Sequence, residues 1–127
     1  MSYYFSKKLE VPFADAIARV TGALEGEGFG ILTQIDVQAT FKKKLDVEFR
    51  PYTILGACSP GFAHRALQEE EMIGAMLPCN VVVQDRGGVV EVAAVDPIAS
   101  MGAVENPGLL GIAQEVQTKL KSVIESL

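Results

Sequence analysis

Two runs of strand-forming residues, Asn80 to Gln84 and Val89 to Val95, flank the tetrapeptide Asp85-Arg86-Gly87-Gly88. Paired glycines supply the positive φ that tight hairpin turns need, so this segment predicts two adjacent antiparallel strands. A lone hairpin is marginal in water, and this one needs further strands beside it and a layer over one face. The rest of the chain supplies both.

Tyr3 to Leu9 alternates, with Tyr3, Phe5 and Leu9 on one side and Tyr4, Ser6 and Lys8 on the other, which predicts a half-buried strand. Pro12 opens a helix whose stripe is Phe13, Ile17, Val20 and Leu24, ended by Gly26 and Gly28. Gly30 to Val37 reads as a second strand, with Ile31, Thr33, Ile35 and Val37 on one side. Ala39 to Leu45, with Phe41 and Leu45 around Lys42, Lys43 and Lys44, reads as one or two exposed helical turns. Tyr52 to Cys58 is a nearly continuous apolar strand, and Phe62, Ala63, Ala66 and Leu67 give the next helix its buried face. Asn106-Pro107 caps a last helix striped by Leu109, Ala113, Val116, Leu120, Val123 and Leu127. This order predicts an α+β fold, one domain over residues 1–127, in which helices cover one face of a mainly antiparallel sheet.

A chain of 127 residues, 49% of them hydrophobic, can bury one core of its own. Aromatics are only 7% and Trp is absent, so that core is aliphatic. The formal net charge of −5 repels a polyanion, and three lysines make no basic patch, so nucleic acid is not expected as a partner. Charges or glycines interrupt every apolar run before the ~20 residues a membrane helix needs. The residues from Met1 to Lys8 lack the apolar stretch of a signal peptide, and the expectation is a cytoplasmic protein with reduced thiols.

Both cysteines and the only histidine lie between Tyr52 and Asn80. Cys58 ends a strand, and Ser59 and Pro60 are cap and first-turn signals of a helix. In an antiparallel meander Cys58 and Cys79 share one edge of the sheet; a parallel crossover would put them at opposite edges. Helix N–H groups and the helix dipole lower a thiol pKa, which would make Cys58 a nucleophile and Cys79 its resolving partner in a thiol enzyme or redox sensor. Two buried structural cysteines account for the same residues. Met72, Met76 and His64 add soft donors, but no spacing fixes a metal geometry, and the methionines fall at the spacing of a helical core face. No cofactor is named by the sequence. Gly87-Gly88 belongs to the hairpin, and Gly26-x-Gly28-x-Gly30 ends a helix where carbonyls would repel phosphate. Asp36 and Asp96 sit at strand ends beside turn residues, where Asp is ordinary.

Gly28 to Asp36 followed by Phe41-Lys-Lys-Lys-Leu45, then Leu55-Gly-Ala-Cys58-Ser-Pro60, Ala66-Leu67, Leu77-Pro78-Cys79-Asn80-Val81 and Val95-Asp96-Pro97, resembles the domain of unknown function 302 family. The likeness spans nearly the whole chain. It implies a fold similar to one repeat of the TATA-binding-protein architecture (β-α-β(4)-α) with a helical insertion, the antiparallel arrangement of the two cysteine strands, and a homodimer; it implies no activity. The family commonly has Asn where this chain has Ser59 and frequently Tyr where it has His64, so neither an amide nor an imidazole there is essential to it. The resulting expectation is a small-ligand-binding module, its pocket lined by Cys58, Ser59, Phe62 and Cys79, with the helix start available to an anion. For the dimer, an apolar surface should remain on the sheet or the final helix.

Overall fold

Alternation along the chain's first strand, β1 (Tyr4–Leu9), is carried through to burial from Tyr4 onward: Leu9 is buried and Phe5 packs against the core while Tyr4, Ser6 and Lys8 face solvent; Tyr3, expected on the Phe5 side, precedes the strand and is exposed. The structure, a computed structural model, describes residues 2–127; Met1, the first residue of the stretch read for a signal peptide, lies outside it. Helix α1 (Phe13–Gly26) follows, then β2 (Gly30–Asp36), α2 (Val37–Leu45), β3 (Tyr52–Cys58) and α3 (Pro60–Glu69). A 3-10 segment, Glu71–Met76, leads through a cis Leu77–Pro78 bond into β4 (Cys79–Asp85) and β5 (Val90–Val95). The short α4 (Pro97–Ser100), which the sequence did not announce, precedes α5 (Leu110–Glu125).

The strands form one open, fully antiparallel sheet in the order β1-β5-β4-β3-β2. Its hairpin is built as the glycines require: Gly87 and Gly88 have φ of 90° and 101°, and both donate their N–H to Asp85 Oδ1 at 3.0 Å. Residues directly opposite in a ladder share a face, so register assigns the two sides. Phe5, Val92, Ala94, Val81, Val83, Leu55 and Ala57 lie on the side that α1 and α5 cover. Ala16, Val20 and Leu24 of α1 and Ile112, Val116, Leu120, Val123 and Ile124 of α5 fill that layer.

Two sequence expectations change here. An extra residue at Leu32 shifts the register of β2 between Ile31, opposite Ala57, and Thr33, opposite Gly56. The bulge reverses the alternation, so Ile31 joins the core while Thr33 and Ile35 face the uncovered side, and Val37 belongs to a helix instead of a strand. Asn106 caps a 3-10 turn, Pro107–Leu109, before α5 begins, accepting from Gly108 N–H and donating to Glu69 O at 2.7 Å. Its side chain thereby ties the start of α5 to the end of α3. Gly56 is required by close approach: a Cβ there would meet the Thr33 hydroxyl and come within 2.8 Å of the Pro78 ring.

Candidate functional site

Antiparallel pairing of β3 with β4 places Cys79 directly opposite Ala57, next to Cys58. The two cysteines therefore lie at the same edge of the sheet, at the ends of neighbouring strands, as the meander predicts, and both are free thiols. Beside them lies a partly open apolar cavity of about 30 Å³, lined by the ends of β3 and β4, the start of α3, Leu77–Pro78 and α5. Cys58, Ser59, Phe62 and Cys79, the four residues singled out from the sequence, all line it, together with Ala57, Met101 and the α5 residues Ile112, Ala113 and Val116. Arg65 covers the Phe62 ring, its guanidinium 5.4 Å from the ring centre, and binds Glu115 Oε2 of α5 at 2.9 Å.

The thiol chemistry differs from expectation. Burial raises the Cys58 pKa above its ordinary value, where the helix start was expected to lower it. Cys79, buried deeper, is pushed up to about 11, by burial first and by the adjacent Cys58 charge second. A thiolate stabilised by a helix needs donors aimed at sulfur, but the first helical residue is Pro60, which has no N–H. Ser59 occupies the cap position, yet its side chain makes no cap hydrogen bond. His64 is exposed and absent from the cavity lining, so it supplies no base.

Three further residues stand elsewhere than read. Leu67, expected on the buried face of α3, is exposed, and so are Met72 and Met76, expected in the core. Their segment is a 3-10 helix, whose tighter turn directs Ile73 inward and the methionines out. No group of three or more His, Cys, Asp or Glu side chains that could hold a metal ion forms among the described residues. Asp36 and Asp96 accept from the N–H groups of Ala39 at 2.9 Å and Ile98 at 3.0 Å, capping α2 and α4; they are not a paired acid and base.

Sequence reasoning missed a second concavity. On the uncovered side of the sheet a groove of about 360 Å³ is floored by Val82, Ala93 and Val95 and edged by Tyr4, Tyr52 and Gln84. The signal was present: these residues occupy the outward positions of their strands, where an exposed face would carry charges.

The family described as Domain of unknown function DUF302 matches residues 5–127. Among solved structures, the crystal structure of an uncharacterized conserved protein DUF302 from Bacillus stearothermophilus is similar to this chain with a TM-score of 0.91 and 28% sequence identity, covering 98% of each chain. No curated protein matches. Among the described residues no helix is long and apolar enough to cross a membrane.

Proposed function

The chain belongs to the DUF302 family, whose description names no activity, and from that premise we propose that it is a binding module: a homodimer that holds a small apolar ligand in the cavity lined by Cys58, Ser59, Phe62 and Cys79. The observation that carries this reading is the convergence of both thiols, each kept protonated by burial, on an apolar lining without a base. An enzyme working through Cys58 would need the reverse, an acidic thiol beside a proton acceptor. The lining holds no cationic side chain, so the ligand is apolar instead of anionic.

Size limits the ligand. One water needs roughly 10–15 Å³ and a cavity that takes benzene or xenon is on the order of 150 Å³. The cavity here, about 30 Å³, admits a very small ligand unless Phe62 turns outward. The ion pair that holds Arg65 across Phe62 is half-exposed, a class worth about 0–1 kcal/mol, and that opening is inexpensive.

Alkylation of the native protein, read separately at Cys58 and Cys79 by mass spectrometry, is the test. Cys58 is expected to react slowly at neutral pH and to accelerate only above the range of an ordinary thiol, and Cys79 to react only on unfolding. Xenon under pressure, as an apolar probe, should slow Cys58 alkylation and shift the methyl resonances of Ala63, Ala113 and Val116. Rapid reaction of Cys58 at pH 7 would sink the binding reading and favour a thiol enzyme; xenon without effect on sulfur or methyls would remove the cavity as a ligand site.

The homodimer is supported by apolar side chains left uncovered on α3 and the 3-10 segment: Leu67, Met72 (73% exposed) and Met76. Of the apolar remainder expected on the sheet or the final helix, the sheet leaves Leu32 and Ile35 of β2 exposed and the final helix only Leu110. In sedimentation the protein should run as a dimer, and the Met72→Lys, Met76→Lys double variant as a monomer with unchanged secondary structure. A monomer at every concentration would end the dimer proposal. Two unpaired cysteines support placing the protein in the cytoplasm.

A further inference from the structure

The groove on the uncovered face of the sheet is independent of the thiol cavity, which lies on the other side. We propose that it binds a neutral planar heterocycle whose edge carries a hydrogen-bond acceptor next to a donor, as a lactam does. At about 360 Å³ it falls within the roughly 300–1,000 Å³ of small-molecule pockets. Its floor, Val82, Ala93 and Val95, is apolar and half-buried. The chain has three tyrosines, Tyr3, Tyr4 and Tyr52, and all three line this groove, Tyr3 edge-to-face with Tyr4 at 5.1 Å and Tyr52 beside Phe49 at 6.1 Å between ring centres. Aromatic rings with a polar tip suit a site that is apolar at its floor and wet at its rim.

The polar selectivity comes from one cross-strand pair. Gln84 and Glu91 stand directly opposite each other in the β4–β5 ladder, so their side chains rise side by side from the floor. Arg50 Nε donates to Gln84 Oε1 at 2.8 Å. A guanidinium has only donors, so this contact fixes the amide orientation and leaves Gln84 Nε2 as a donor without a partner among the described residues. Arg86 donates to Glu91 Oε1 at 3.2 Å, and Glu91 Oε2 is an acceptor without a partner among the described residues. The Glu91 side chain is only 15% exposed, and its free oxygen keeps contact with solvent, where a ligand in the groove can reach it. An acceptor beside an oriented donor is satisfied by a ligand edge offering the complementary donor and acceptor, and an analogue lacking one of them leaves a polar group unpaired once the ligand excludes water. Arg86 neutralises Glu91, and the pair therefore calls for hydrogen bonds more than for ligand charge.

Since Trp is absent, tyrosine emission reports this groove directly. Guanosine and lumichrome carry the required edge, N1-methylguanosine has its donor blocked, and indole is planar without the edge; binding is followed by tyrosine emission and by ligand proton NMR. Guanosine or lumichrome should give a saturable change, N1-methylguanosine at least tenfold weaker binding, and Glu91→Gln at least a tenfold loss at unchanged melting temperature. Tyr52→Leu, which keeps the apolar rim, should weaken both edge-bearing probes. Absence of saturable binding by either probe would overturn the proposal, as would equal binding of indole or N1-methylguanosine. Tyrosine emission that instead changes with protein concentration alone would show a second copy of the chain on this face, and would equally overturn it.

Discussion

Replacing Leu120 by alanine is expected to lower stability by about 3 kcal/mol, within the roughly 2–5 kcal/mol that buried leucine truncations span. Leu120 is 0% exposed and sits near the middle of α5, the helix that packs on α1, β1 and β5 and closes the core. Truncation removes the transfer free energy of the lost side-chain carbons, and the close packing of the core that Leu120 shares with Val20, Leu24 and Val92 keeps the cavity from collapsing fully. For a chain of this length the melting temperature should fall by roughly 10 °C. Leu110, on the same helix but 54% exposed, gives the control: Leu110→Ala should change stability by no more than about 0.5 kcal/mol. Urea titrations of both variants decide the matter, and equal effects at the two positions would show that α5 does not close the core through Leu120.

That contrast is legible in the amino-acid sequence, because a stripe at helical period identifies its buried face locally. The hairpin is legible for the same reason, since Asp85, Gly87 and Gly88 act on one another within four residues. That Cys58 and Cys79 share one edge of the sheet is legible from topology: an antiparallel excursion returns the chain to the edge it left. What sequence does not reveal depends on distant partners or on a change of period. The acidity of Cys58 escapes it because α5, some fifty residues away along the chain, supplies Ile112, Ala113 and Val116 to the cavity it lines, and burial raises its pKa. Met72 and Met76 escape it because a 3-10 turn replaces the α-helical spacing that would have buried them. The groove is hidden for a subtler reason. Each strand shows its outward residues, but only register places Gln84 beside Glu91 and aligns the two with Val82 and Ala93 on one face.

The deepest of the sequence-selected residues should make the protein fragile to alkali. Cys79 is buried, and its pKa stands at about 11 against an ordinary 9.0, because a thiolate there would lose its hydration with only the Cys58 sulfur nearby. A folded-state pKa above the unfolded value means that the unfolded chain releases its proton first as pH rises. The contribution is therefore fully present below pH 9, declines through the interval from 9 to 11, and is gone above it. Two pH units correspond to about 3 kcal/mol at most, a large share of the 5–15 kcal/mol typical of a domain. The informative quantity is a difference between variants, in which every contribution but that of residue 79 cancels. Cys79→Ser replaces the thiol with a hydroxyl that does not ionise below pH 12 and is close to it in size. Urea unfolding at pH 7.5, 9, 10 and 11 should show the wild-type advantage over Cys79→Ser shrinking as pH rises, with the steepest change between 9 and 11. Parallel stability curves for the two proteins would show that Cys79 meets solvent in the folded state, and would remove the protonated-thiol lining on which the binding site rests. A converging pair would show that the sulfur stays protonated because the fold excludes water from it, which is the property an apolar ligand needs.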